Sequence, residues 1–291
     1  MEEPNSYANW LETRYPYDSE ARNKSLEAKV IAYLSPKKKV TLVDVGAGTG
    51  SNALYLMDKI DGNQHWYFIE QNEGFQEFLI HRLKEYAAFH KYEYATQKDI
   101  QQIITPNRQL SFQFINGSLL DIKALIPLQE VDLILANAVF DLFTEQQIQR
   151  FLSPIQLTAI ACYFTLNYQG MVYQPEEPFD VSYIDLYEQH MERPQVTGQA
   201  TGKHASQHIA AYLNASHTIQ QAPSIWDIRQ EDIKMHYYLL NFIENSIPEL
   251  SVEKELSHFF PKWIQRKKEL VINRRLSLQV QHSDIFCVPK E

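Results

Sequence analysis

Val40-Thr41-Leu42-Val43-Asp44-Val45-Gly46-Ala47-Gly48-Thr49-Gly50-Ser51-Asn52 decides how this chain is read. The apolar, β-branched run from Val40 to Val45 predicts a strand. Gly46, Gly48 and Gly50, at alternate positions, then predict a tight turn, and Asn52 to Ile60 is compatible with a helix. Glycine is required where the backbone takes unusual torsions, or where a ligand comes too close to the main chain for a Cβ. The first turn of a helix leaves N–H groups unpaired, and they point at whatever lies over it. Strand, turn and helix together make a small-molecule cradle at the end of the first strand of a parallel sheet.

Glycine spacing narrows the occupant. A dinucleotide-binding turn is G-x-G-x-x-G, and its third glycine would fall at position 51, where this chain has Ser51. The pattern here is G-x-G-x-G preceded by Asp44, which resembles motif I of the class I S-adenosyl-L-methionine (AdoMet)-dependent methyltransferases. The resemblance implies that Asp44, Gly46, Ala47, Gly48, Gly50 and Asn52 bind AdoMet, the methyl donor, whose product is S-adenosyl-L-homocysteine (AdoHcy).

Three further segments follow in the order the family has them. His65 to Ile69 reads as a short buried strand ending in Glu70, about 20 residues beyond the glycine turn, the separation of a ribose-binding acid on an adjacent second strand. A carboxylate accepts from both ribose hydroxyls at once, so Glu70 and its neighbour Gln71 are candidate cofactor contacts. Ser111 to Ile115 reads as the third strand. After it, Ser118 and Leu119 match the positions that meet the adenine, although the family often carries Asp where Ser118 stands. Val131 to Phe143 is an apolar strand running into small and polar residues, like motif IV. There Asn137 and Phe140 match positions flanking the donor, and Asp141 falls where many small-molecule methyltransferases carry a histidine.

Composition fits an enzyme of this kind. The chain has 291 residues, 44% of them hydrophobic, enough for one large domain or a core with a lid. No apolar run approaches the roughly 18 residues of a membrane span, and the acidic N-terminus lacks signal-peptide character, so a cytoplasmic protein with no membrane partner is expected. Cys162 and Cys287 each lie in an apolar strand-like run and read as reduced core residues. The net charge of −9, with basic clusters only at Lys37-Lys38-Lys39 and from Arg266 to Arg275, disfavours a nucleic-acid substrate.

Periodicity organises the rest. An N-terminal arm (Tyr7 to Tyr17) leads to a helix from Asp18, its N-cap, to Leu34. Strands and helices then alternate to about Tyr168, with helices at Gly74 to Ala88 and Thr144 to Leu157 and a fifth strand at Ile160 to Tyr168. Strands at Thr218 to Ile228 and Ser277 to Val288 flank two amphipathic helices, Ile233 to Ile247 and Glu253 to Asn273. The expected fold is α/β and Rossmann-like, a seven-stranded, mostly parallel sheet whose seventh strand runs antiparallel between the fifth and sixth. Residues 1–35 form an arm and helix over the cofactor, 36–291 the methyltransferase domain, and about 173–210 a helical lid.

Arm and lid supply the remaining candidates. Arg14 is placed to hold the methionine carboxylate, and Tyr17 to close over the sulfonium. Tyr183, Tyr187 and His190 share a helix face at i, i+4 and i+7, and His190 is a candidate acid or base there. The run Trp10-Leu11-x-x-Arg14-x-Pro16-Tyr17-Asp18, with the His-bearing helix and the glycines 198 and 202, is similar to a bacterial, small-molecule-type subfamily of class I methyltransferases. His204 and His208, spaced i, i+4 with His190 as a third ligand, would suit zinc, but Ala205 stands where H-E-x-x-H needs its glutamate, so no metal is expected. The expected activity is methyl transfer to oxygen or nitrogen of a small-molecule acceptor, with His190 and Asp141 as the candidate bases. Two other classes remain: a non-catalytic AdoMet-binding regulatory protein, and an NAD-dependent oxidoreductase, which Ser51 disfavours.

Overall fold

A computed structural model describes residues 4–195 and 198–290; residues 1–3 of the expected arm, and Val196 and Thr197 of the expected lid, lie outside the described residues. Two helices, α1 (Pro4–Ala21) and α2 (Lys24–Leu34), precede the first strand, β1 (Lys39–Val45). Then come α3 (Ser51–Leu56), β2 (Asn63–Glu70), α4 (Glu73–His90), a hairpin of β3 (Glu93–Gln97) and β4 (Ile100–Ile104), β5 (Gln109–Asn116), α5 (Ile122–Leu125), β6 (Leu133–Asn137) and α6 (Glu145–Thr158). The second half runs β7 (Ala161–Gln174), α7 (Asp180–Met191), the short pair β8 (Pro194–Gln195) and β9 (Gly198–Gln199), α8 (Ala205–Leu213), β10 (His217–Ile228), α9 (Ile233–Ser246), α10 (Lys254–Ile272) and β11 (Ser277–Pro289).

One sheet of nine strands carries the fold, in the order β10-β11-β7-β6-β1-β2-β5-β4-β3. From β5 through β2, β1 and β6 to β7 the strands are parallel. β11 is antiparallel to both β7 and β10. The expected seven strands are therefore present with the expected antiparallel strand, but two more extend the sheet beyond β5. This hairpin is faint in the sequence because β3 is polar and the isoleucines of β4, Ile100, Ile103 and Ile104, do not alternate. Without an apolar run or clean alternation they lack the burial signature that identifies a strand. A turn through Lys98, at φ +55°, closes it.

Burial explains the parallel centre. Leu42 faces a core that includes Leu26, Val30, Leu56, Trp66 and Leu79, under α2, α3 and α4. Val43 and Val45 face the opposite one, with Ile134, Phe151, Leu152 and Ile209, under α6 and α8. A sheet covered on both faces needs near-continuous hydrophobic strands, which β1 and β6 are.

A third core has a different origin. β7 continues well beyond Thr165, the partner of the last β6 residue Asn137, and the extension stays paired with β11 as far as Gln174. Met171, Tyr173, Trp226, Leu278 and Val280 on this overhang pack with Tyr183 of α7, Leu240 of α9, Trp263 of α10 and Trp10 of α1. Asp284 pins its root: Oδ1 accepts from Leu166 N at 2.9 Å and Ser224 Oγ at 2.6 Å, and Oδ2 accepts from Asn23 N at 2.8 Å.

The start of the chain differs from expectation. Asp18 is no N-cap; it lies inside α1, which runs unbroken from Pro4 despite Pro16. The helix breaks instead at Arg22-Asn23, and Asn23 caps α2 by accepting from Ser25 N and Leu26 N. Pro16 and the Tyr-Asp pair resemble a helix start, yet the side-chain period continues through them.

At Gly50 the glycine is obligatory: φ is +83°, and a Cβ there would lie 2.6 Å from Leu79 Cγ on α4. Gly50→Ala should destabilise the protein by about 2–4 kcal/mol, from left-handed strain plus overpacking. Urea unfolding checks this, and an unchanged midpoint would contradict the packing described.

Candidate functional site

The glycine turn, α1 and the end of β6 enclose a cavity of about 190 Å³. Its floor is the turn itself. Gly46 takes φ +61° and Gly48 +51°; a Cβ on Gly46 would come within 3.0 Å of Val139, and one on Gly48 within 3.1 Å of Leu11. Glu70, at the end of β2, reaches back to the turn. Its Oε2 accepts from Gly48 N at 3.0 Å and its Oε1 from Asn72 N at 2.9 Å.

α1 forms the roof. Tyr7, Leu11, Arg14 and Asp18 recur on one helical face and all line the cavity. The helix is tied to α4 by Tyr7 against Phe75, with ring centroids 5.8 Å apart, and by a 3.0 Å ion pair of Glu12 with Arg82. Arg14 Nε donates to Asp18 at 3.0 Å, and Asp18 Oδ2 also accepts from Asn137 Nδ2 at 2.9 Å. Arg14 Nη2 is enclosed and has no partner. Its guanidinium lies 5.3 Å from the Trp226 ring centroid and 6.0 Å from that of Trp10.

The far wall is the β6 end, where Ala138 adopts φ +54°, an uncommon backbone for a residue with a Cβ and a mark of functional turns. Asn137 is held between Asp18 and Thr165, whose Oγ1 donates to its Oδ1 at 2.8 Å. Beneath the turn lies Asp44. Asn52 Nδ2 donates to its Oδ1 at 2.8 Å, while Oδ2 has no partner. Burial pushes the Asp44 carboxyl up to about 7, against the opposing pull of Asn52 and Arg22.

The structure brings together Asp44, Gly46, Ala47, Gly48, Asn52, Glu70, Asn137 and Arg14 around this cavity. Gly50 packs behind it on Leu79. Other candidates stand elsewhere. Tyr17 turns away into a separate surface cleft that it shares with Arg229 and Asp232; next to Asp18 in the chain, it points about 100° around the helix from it. Gln71 is exposed. Ser118 Oγ is used locally, accepting from Leu120 N at 3.2 Å, and Leu119 and Phe140 are buried in the second core. None of these five lines the cavity.

His190 is also outside it. Nε2 meets Glu249 Oε2 at 2.8 Å, and Nδ1 accepts from Arg193 Nη1 at 2.9 Å, so both ring nitrogens are engaged. No described residue of 173–210 lines the cavity; the expected lid packs into the third core through Tyr183 and Ile184. The cover is α1 together with Leu142 and Phe143. Asp141 does not itself line the cavity; it stands in the chain between the lining segments Asn137–Val139 and Leu142–Phe143, with Oδ1 enclosed and unpartnered. Burial raises its pKa, with the nearby Arg14 charge acting the other way, and Tyr187 of α7 feels its charge.

Sequence reasoning missed Tyr7, Leu11 and Asp18 as cavity residues. The spacing 7, 11, 14, 18 was the signal, hidden by Pro16. Arg22 was missed too, since its role depends on where α1 ends.

Among the described residues, no group of three or more His, Cys, Asp or Glu is placed to hold a metal ion. His204 and His208 lie near Glu192 and Glu145 instead, at 3.8 and 3.6 Å. Cys162 and Cys287 are free and buried, directly opposite each other across β7 and β11. No described helix is long and apolar enough to cross a membrane.

No protein-family model matches the chain, and no curated protein matches it in sequence. Among solved structures, a Bacillus halodurans C-125 protein assigned provisionally as a methyltransferase aligns with a TM-score of 0.50 at 11% identity, over 91% of this chain and 100% of that one. The YcgJ protein of Bacillus subtilis aligns with a TM-score of 0.50 at 12% identity, over 92% and 100%. The chain has the class I methyltransferase fold. The β3–β4 hairpin extends the sheet at its β5 edge, and α9 and α10 lie in the chain between β10 and β11. The cavity lies at the carboxyl ends of the strands, where open α/β sheets bind their ligands.

Proposed function

We propose that this protein is an AdoMet-dependent methyltransferase acting on a small-molecule acceptor, by O- or N-methylation. The observation that carries the reading is a single cavity in which unpaired or rim-placed groups match the parts of AdoMet. Glu70 suits the ribose diol, since a carboxylate can accept from two hydroxyls. Asp44 Oδ2, buried without a partner, suits the ammonium, and Arg14 Nη2, equally orphaned, suits the methionine carboxylate. Bound AdoMet supplies an activated methyl group on a sulfonium. The protein's part is to orient donor and acceptor in line and to exclude water, which the roof of α1 accomplishes.

Proton removal from a hydroxyl acceptor falls to Asp141. Its raised pKa makes it a better base than an exposed aspartate, and His190, with both nitrogens engaged, has no free one to offer. A localisation in the cytoplasm, and an acceptor other than nucleic acid, belong to the same proposal and rest on composition.

The functional test is AdoHcy formation from AdoMet with a panel of small hydroxyl and amine acceptors. Turnover with any of them supports the reading; AdoMet binding without turnover across the panel would favour a non-catalytic binding protein. Glu70→Ala should weaken AdoHcy binding roughly 10- to 30-fold, the worth of charged hydrogen bonds to the ribose. Unchanged affinity would show that the ribose lies elsewhere.

A further inference from the structure

Arg22 ends α1 at the break before α2 and is only 2% exposed. Its Nη2 donates to Asn52 Oδ1 at 2.6 Å, and Asn52 Nδ2 donates in turn to Asp44 Oδ1 at 2.8 Å. The relay has a direction. An amide accepts at its oxygen and donates at its nitrogen, so a cation on the oxygen forces the nitrogen toward Asp44. That contact takes one carboxylate oxygen and leaves the other, Oδ2, enclosed and without a partner, on a residue that lines the cavity.

Arg22 spends little of its donor capacity in doing this. Nε and Nη1 have no partner, and the guanidinium lies 4.5 Å from the Tyr55 ring centroid. A buried cation with two idle donors is poor value for stability alone. Its position is nevertheless fixed, because Asp284 and the Asn23 cap determine where the helix breaks.

We propose that Arg22 is the positioning residue of the cofactor site, holding Asp44 through Asn52 as an anion whose Oδ2 is presented to the ammonium group of AdoMet. The inference rests on the cofactor reading above. The charged groups acting on Asp44 are Arg22, which favours the anion, and Glu70, which opposes it. Arg14 and Asp18 line the same cavity. Around Arg22 itself stand Asp284, Lys24 and the Glu27–Tyr55–Lys59 cluster. With burial placing the carboxyl near 7, loss of a neighbouring cation should move its titration upward by about one unit or more.

Calorimetric titration with AdoHcy, which carries the same amino and carboxylate groups, tests this between pH 5.5 and 8.5. In the wild type, affinity should fall about tenfold per pH unit below a midpoint near 7, and binding below that midpoint should release a proton, seen as a dependence of the heat on buffer. Arg22→Met should bind at least about fivefold more weakly at pH 7, with the deficit shrinking as pH rises, and Arg22→Lys should recover most of the affinity. An equal loss at every pH, or no loss, would make Arg22 merely structural and overturn the proposal. If Arg22→Met does not fold, the wild-type proton release decides: its absence overturns the proposal. Failure of the wild type to bind AdoHcy at all would instead remove the cofactor reading on which this rests.

Discussion

Lys267→Ala is expected to destabilise the protein by about 3–5 kcal/mol, the cost of leaving a buried charge without its partner. Lys267 is fully buried, bonded to Asp180 at 2.7 Å and lying 4.6 Å from the Tyr173 ring centroid. Asp180, itself 3% exposed, would retain Trp263 Nε1 at 2.7 Å and Glu177 N at 2.9 Å, but no buried cation. The pair joins α10 to α7 in the third core, so thermal unfolding should occur about 6–20 °C lower. Pairing Lys267→Met with Asp180→Leu should restore much of the loss, since an apolar replacement removes both desolvation penalties. If the single variant unfolded at the wild-type temperature, the buried pair would not be holding α10.

Asp141→Asn is the larger test of chemistry. The substitution keeps shape and removes the base, so transfer to a hydroxyl acceptor should slow by about 10²–10³-fold, with AdoHcy affinity nearly unchanged. Methylation of an amine that is already unprotonated should suffer less. The raised pKa gives the pH dependence its sign: the carboxylate is the active form, so wild-type activity should fall as pH drops through that pKa. A rate for Asp141→Asn equal to the wild type on a hydroxyl acceptor would remove Asp141 from the mechanism.

How far the sequence carries depends on what each residue type is constrained to do. The glycine turn was legible because φ values of +61°, +51° and +83° at Gly46, Gly48 and Gly50 leave little else that fits. Glu70 and Asn137 were legible because a strand end in a parallel sheet faces the ligand crevice whatever surrounds it. Arg14 lines the cavity, though its backbone was misread: Pro16 suggested an arm where the chain forms a helix. Ser118, Leu119, Phe140 and Gln71 show the limit of carrying positions across, since side-chain direction depends on local turns. Ser118 spends its hydroxyl on its own turn. His190 shows another limit. A histidine on an aromatic helix face has the right pKa for catalysis, but only the tertiary packing reveals that Glu249 and Arg193 occupy both nitrogens. The β3–β4 hairpin escaped because β3 is polar and the isoleucines of β4 fall on both faces, so neither strand carries a clean period-2 signal.

The central claim is that the cavity under α1 binds AdoMet. Calorimetric titration of the purified protein with AdoMet, AdoHcy and NAD in parallel tests it most directly. Saturable binding of the first two, without NAD, is the result this account predicts; binding of NAD alone, or of none of the three, would contradict it and reduce the glycine turn to a structural element of the fold.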